Sequence, residues 1–222
     1  MSSLVRLLTS SIGQKLLMAA TGLLLIGFLV AHLTGNLLIF VGADAFNEYS
    51  HALVSNHLIY VAELGLLVLF VLHLVSGILV TRTNRAARPQ GYAKKRRAGG
   101  TSNKSWASTT MIVSGLVVLV FVPLHLITFK FGAWYQDTAH PEMRDLHRLV
   151  LEVFRDPLLV AWYEVAMLVI GFHLWHGFAS GFETLGVGSR PGIRNFSKLL
   201  AVAIAGGFAI IPIVIFLAGG SL

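Results

Sequence analysis

LLMAATGLLLIGFLVAHLTGNLLIFVGA, residues 16–43, runs for 28 residues with no formal charge and one titratable side chain, His32. A hydrocarbon core of about 30 Å is crossed by about 20 helical residues, so this run is long enough to span a bilayer. It shows no small-residue cleavage signature directly after a short apolar core, and it reads as a retained span. Lipid offers no partner to a free backbone group, so spanning segments are helices or closed barrels, and a continuous apolar run selects the helix.

The rest of the chain repeats the pattern. Together with the first run, extended to Lys15–Val41, candidate spans cover Leu58 to Thr81, Ala107 to Phe131, Pro157 to Phe182 and Lys198 to Leu217. Of 222 residues 55% are hydrophobic and only 12% charged, outside the balance of a soluble domain. The expected fold is all-α, an integral membrane bundle of five transmembrane helices, with residues 1–222 forming one membrane domain. No internal repeat is visible, and residues 94–104, rich in Gly, Ser and Lys, read as a flexible loop.

The net charge is +7, and its placement carries the information. Arg6 and Lys15, the eight basic residues of the loop from Arg82 to Lys104, and Arg190, Arg194 and Lys198 put 13 of 17 lysines and arginines on one side. Basic short loops stay cytoplasmic, so the N-terminus is expected on the cytoplasmic side and the C-terminus on the outer side of the membrane. Charges confined to loops between apolar runs argue against nucleic acid and for attraction to anionic lipid headgroups. The chain has no cysteine, which excludes disulfides, thiolate metal sites and iron–sulfur ligation within it. A redox cofactor here would hang on histidine or methionine.

Of nine histidines, His51, His57, His140 and His147 fall in or beside outer loops, where an imidazole is ordinary. The other five, His32, His73, His125, His173 and His176, are distributed over four spans. One intramembrane histidine often just joins two helices by a hydrogen bond. Four helices doing so independently is a different matter. Alternate helices run in opposite directions, which places His32 and His125 in the outer half of the membrane. His73, eight residues before Thr81 and so about 12 Å from that end, falls in the inner half with His173 and His176.

Two histidine pairs at two depths suit two bis-histidine haems, each iron taking one imidazole from each of two facing helices. A porphyrin needs room beside its ligand helix, and Gly77 follows His73 by four residues as Gly177 follows His173; His32 has Gly35 one turn on. That spacing favours His173 as the ligand and leaves His176 as the alternative, or as a hydrogen-bonding partner of a haem propionate.

The N-terminal run SSIGQKLLMAATGLLLIGFLVAHLTGNLLIF, the NEYS that follows, HLVSG and GFHLWHGFASGFETLG together resemble the cytochrome b membrane anchors of succinate dehydrogenase, the five-helix, two-haem b558 type. The resemblance covers all five spans. It implies ligands His32, His125, His73 and His173, two haem b groups, and a flavoprotein and an iron–sulfur subunit docked on the cytoplasmic side. The chain would then be the quinone-reactive subunit of respiratory complex II, linking the tricarboxylic acid cycle to the respiratory chain with no dicarboxylate chemistry of its own. Menaquinone is the quinone that the di-haem resemblance suggests. In such relatives quinone chemistry lies near the outer haem, where Glu63 and Glu164 are candidate proton acceptors and Glu48 a third. Some di-haem fumarate reductases carry a glutamate two residues before the fourth-helix ligand; Gly171 stands there here.

Tyr60, Trp134, Tyr135, Trp162 and Tyr163 read as an interfacial aromatic belt, with Trp162 also suited to flank a quinone ring. Lys15 and Arg82 are placed to meet inner haem propionates. Two other readings compete: the cytochrome b anchor of another quinone-linked dehydrogenase, such as a hydrogenase or formate dehydrogenase, and a histidine-lined transporter. The first is opposed by the N-terminal motif. A transporter would show more polar residues and broken helices around a midplane site.

Overall fold

The computed structural model describes residues 10–86, 110–187 and 191–220. Arg6, the basic loop from Arg88 to Lys104, the expected start of the third span at Ala107, and Arg190 lie outside the described residues. Among the described residues seven α-helices follow in order: α1 (Ser11–Asn36), α2 (Ala43–Ser55), α3 (Leu58–Ala86), α4 (Met111–His125), α5 (Leu146–Val153), α6 (Pro157–Thr184) and α7 (Pro191–Leu217). Among the described residues there is no strand, only one isolated bridge between Gln136 and Arg144.

Among the described residues five stretches are long and apolar enough to cross a membrane: Ser11–Phe40, Leu58–Ala86, Met111–Lys130, Pro157–Thr184 and Gly192–Leu217. The end of the bundle holding Ser11, Ala86, Met111 and Thr184 is called the inner end below, and the opposite end the outer. Helices α1 and α7 start earlier than the apolar runs suggested, at Ser11 and Pro191 rather than Lys15 and Lys198. A charge ends the hydrocarbon-compatible segment but not the helix, because a lysine can lie along apolar surface and reach its ammonium to the interface.

Local chemistry sets the boundaries. The Ser10 hydroxyl accepts from Gly13 N at 3.0 Å and opens α1. Asp156 caps α6 by accepting from Leu158 N at 2.8 Å, with Pro157 in the first turn, where its missing N–H costs nothing. Between α1 and α2 a 3₁₀ turn, Leu37–Phe40, leads to Gly42 at φ +135°, a backbone region that L side chains rarely adopt. Pro123 sits inside α4, which passes at Leu126–Lys130 into a π-helical turn. Proline removes the hydrogen bond to the carbonyl four residues back, and π turns accommodate such breaks. The carbonyls left at the end of this segment are met by Arg144, whose guanidinium donates to Phe129 O at 2.9 Å and Ala133 O at 2.7 Å.

Helix α6 packs against α1, α4 and α7, and α3 packs against α1. The interior divides into two buried clusters. One gathers Phe121, Phe154, Tyr163, Met167 and Ile215 towards the outer end; the other gathers Ile26, Leu174, Phe178 and Ile204 towards the inner end. Large aliphatic residues such as Leu64, Leu168 and Leu199 face outward, each more than 60% exposed. In water that surface would drive association; in lipid it is solvated, and close packing holds the helices together. Gly207 of α7 illustrates this: a Cβ there would stand 2.7 Å from Leu33 of α1.

The outer end is closed by α2, α5 and the connection before α5. Asn47, 1% exposed, donates to Asp137 Oδ2 at 2.9 Å and Asp145 Oδ1 at 3.0 Å, while its own carbonyl accepts from His147 N at 2.9 Å. Tied to Asn47 through its backbone and packed edge-on to Phe46, His147 is buried rather than the loop histidine expected from its position. Burial holds its pKa below the ordinary imidazole value, against the pull of Asp145 and a backbone hydrogen bond at Ile39. Hydrogen bonds from Asn47 and from the backbone N–H groups of His140 and Ala139 hold the Asp137 carboxyl below the usual carboxylate range.

Candidate haem-binding site

Four of the five intramembrane histidines meet as two cross-helix pairs. His32 of α1 faces His125 of α4 with ring centres 5.8 Å apart and planes at 89°. His73 of α3 faces His173 of α6 at 6.4 Å and 73°. These are the outer and inner pairs that the depth argument expected.

Their separation follows from contacts on three helices. On α1, Thr21 touches His73 and lies eleven residues before His32; on α4, Ser114 touches His173 and lies eleven before His125. On α6, Tyr163 touches His125 and lies ten residues before His173. At 1.5 Å per residue these intervals give about 16, 16 and 15 Å between the two levels.

The inner pair shows which nitrogens are free. Met18 O lies 3.1 Å from His73 Nδ1, and a carbonyl can only accept, so Nδ1 carries the proton. Thr21 Oγ1, at 3.2 Å from the same nitrogen, spends its hydrogen on Leu17 O. Ser114 Oγ donates to Met111 O, so at 2.9 Å it accepts from His173 Nδ1. Both imidazoles therefore present Nε2 as a lone pair, the state in which histidine ligates a metal, with Nδ1 fixing the ring's orientation.

The outer pair is held by aromatic packing. Phe28 stacks on His32 from one turn before it, ring centres 5.3 Å apart at 16°, and Phe121 stacks on His125 from one turn before it at 5.6 Å and 26°. Tyr163 Oη lies 3.3 Å from His125 Nδ1, and Asn36 Nδ2 lies 3.3 Å from His32 Nδ1.

A metal–imidazole bond is about 2 Å, and roughly 1 Å more separates nitrogen from ring centre, so two rings on opposite sides of one metal stand about 6 Å apart. The two observed separations bracket that value. Among the described residues no cluster of three or more His, Asp or Glu could hold a metal ion. A metal taken by either pair would have two protein ligands, and haem suits such a site because the macrocycle supplies the remaining in-plane donors. The donor set therefore fits haem.

His176, the alternative inner ligand, lines a groove between α6 and α7 with Trp175, Glu183, Arg194 and Lys198, whereas the ring against His73 is that of His173. The glycines also divide differently from the sequence argument. A Cβ on Gly77 or Gly177 would meet only the flexible ends of Met18 and Met111, at 4.0 and 3.9 Å, and Gly35 faces the Tyr49 ring. The close approach to a histidine is on the facing helix: a Cβ on Gly22 of α1 would stand 2.9 Å from His73 Cε1, and one on Gly115 of α4 would stand 3.6 Å from His173 Cε1.

At the outer end, Glu63 is ion-paired with Lys130, whereas Glu164 Oε1 is buried with no hydrogen-bond partner. Trp162 Nε1 is likewise buried and unpaired, beside Phe121. Glu48 is exposed on α2, and Lys15 and Arg82 are exposed at the inner end. Trp134 and Tyr60 are 69% and 66% exposed, as an interfacial belt requires, but Tyr163 is buried at 6% and belongs to the histidine site.

Thr21, Ser114 and Tyr163 were not legible as site residues. Threonine and serine in apolar helices commonly bond their own preceding carbonyls, and both do so here as well. Pro123, two residues before His125, was the one available signal of a break at the outer pair.

Fold and site together define a multi-pass helical membrane protein whose interior carries two opposed histidine pairs at different depths. The chain is similar to the succinate dehydrogenase cytochrome b558 subunit of Bacillus subtilis (strain 168), 25% identical over 179 residues that cover 80% of this chain and 81% of that one. This similarity supports the family that the motifs resemble, the cytochrome b membrane subunits of succinate dehydrogenase. No protein-family model matches the chain, and neither does any solved structure.

Proposed function

We propose that the protein is the di-haem cytochrome b anchor of a succinate:quinone oxidoreductase, binding two haem b groups through His32 and His125 and through His73 and His173. The observation that carries this is the inner pair: two imidazoles from different helices, each with Nδ1 engaged and Nε2 left as a lone pair, 6.4 Å apart centre to centre. Haem bound at both levels supplies one-electron carriers across the bilayer. The protein's residues set the ring orientations through Met18, Thr21, Ser114 and Tyr163, and exclude water by the aromatic and aliphatic packing around each pair.

In this reading the N-terminus is cytoplasmic, and the inner end docks an iron–sulfur subunit that is itself joined to a flavoprotein. Electrons pass between that partner and a membrane quinone, menaquinone, handled at the outer end. Of the two candidate carboxylates Glu164 is the better proton acceptor, because one of its oxygens is buried and unengaged while Glu63 is neutralised by Lys130. Trp162 Nε1, buried nearby in sequence and also unengaged, supplies a donor for a quinone carbonyl.

The test is an optical one. Dithionite reduction of the purified protein is expected to bring up b-type haem bands, and a pyridine haemochrome assay to give two haems per chain. A colourless preparation from haem-replete cells would overturn the reading and favour transport.

A further inference from the structure

The groove between the inner ends of α6 and α7 runs along the flank of α6, with His176, one turn beyond His173, on its edge. Its residues are Trp175, His176, Ser180 and Glu183 from α6, and Arg194 and Lys198 from α7. Trp175 follows His173 by two residues and therefore points to the opposite side of the helix. The Lys198 ammonium lies 5.5 Å from the centre of the Trp175 ring. Two fixed cations face one carboxylate, leaving the groove with net positive charge and with hydroxyl and indole groups available to hydrogen-bond.

The depth of the groove is the second observation. Trp175 lies nine residues inside the end of α6 and Lys198 seven inside the start of α7, about 13 and 10 Å along their axes. A lysine at that depth extends towards the interface. Towards the bilayer centre the same surface is apolar and bare: Val202, one turn beyond Lys198, is 60% exposed, and Phe172, one turn before Trp175, is 36% exposed. A soluble partner would not meet that belt, whereas a lipid's acyl chains would lie along it while its phosphate sat between Arg194 and Lys198.

We propose that this groove is a binding site for the phosphate of an anionic phospholipid, clamped by Arg194 and Lys198 with the Trp175 indole at the headgroup–acyl boundary. Basic pockets between membrane helices recognise acidic headgroups through this combination of fixed charge and apolar flank. The two clamping cations belong to α7, which carries none of the four proposed haem ligands, so the site does not rest on the haem reading.

The test uses the full-length protein in vesicles of phosphatidylcholine containing graded amounts of phosphatidylglycerol, either lipid being brominated on its acyl chains. The quenching of Trp175 is isolated by subtracting the signal of Trp175→Phe. Brominated phosphatidylglycerol is expected to quench Trp175 at a mole fraction about tenfold below brominated phosphatidylcholine. Arg194→Gln and Lys198→Gln should each raise that fraction about fivefold, the effect of one cation near an anionic surface. Glu183→Gln should lower it, a gain that misfolding would not produce. Equal quenching by the two lipids would overturn the proposal. So would displacement of brominated phosphatidylglycerol by millimolar inorganic phosphate, which marks a free-anion site. Loss of the quenching in the assembled complex, with retention in the isolated chain, would overturn it in favour of a protein partner.

Discussion

Ser114→Ala removes the one hydroxyl that accepts from His173 Nδ1, at 2.9 Å, without touching the nitrogen that would face iron. The imidazole N–H is then left in an apolar interior, at a cost of about 1–3 kcal/mol. Loss of the partner that orients a metal-bound histidine typically weakens metal binding 10- to 100-fold, about 1.4–2.7 kcal/mol, so two independent routes agree. The assay is haem transfer from the detergent-solubilised protein to an excess of an apo haem acceptor, followed optically. His173→Ala serves to identify the inner haem. Ser114→Ala is expected to release that haem at least tenfold more readily and to leave the outer haem in place. Ser114→Thr, which keeps a hydroxyl, should stay near the parent. Equal retention of the inner haem by Ser114→Ala and the parent, within twofold, would refute the claim that this bond sets the ligand.

Three further outcomes are expected. His173→Ala should lose the inner haem while His176→Ala keeps two haems per chain by the pyridine assay, because His176 lines the α6–α7 groove. Pro123→Ala restores an N–H that can bond the carbonyl four residues back and straighten α4; the outer haem, two residues on at His125, should then show an altered reduced spectrum while the inner haem does not. Order at the outer face should fall with acid in two stages, read by hydrogen exchange over residues 137–150. His147, held neutral by burial, loses stability as pH falls below its ordinary 6.5, since the unfolded chain takes the proton first. Asp137, with its pKa depressed, contributes stability above the ordinary carboxylate value of 3.8 and loses it as pH falls through its lower folded value. In Asn47→Ala the lower stage should fade, since the first of the bonds lowering that pKa is gone.

The membrane class, the number of spans and the division of the histidines into two levels were legible because each depends on one-dimensional quantities. Apolar run length is fixed by bilayer thickness, and depth along a helix is fixed by the rise per residue. Helix starts were less legible at α1 and α7, where backbone hydrogen bonding continues past the charge that ends the apolar run. Tyr163 and His147 were misplaced for a related reason: a position near a span's end says nothing of which way a side chain turns, and both turn inward.

By itself, then, the sequence determined that five apolar helices cross a bilayer and carry imidazoles at two depths, since hydrophobicity and axial rise are properties of each segment alone. That the ring facing His73 is that of His173 and not of His176, and that Met18 and Ser114 hold the inner Nδ1 protons, were decided only by the tertiary structure. Those are questions of azimuth, of how each helix is rotated about its own axis against its neighbours. In lipid that rotation is fixed by close packing such as Gly22 against the His73 ring and Gly207 against Leu33, contacts between residues far apart in the chain.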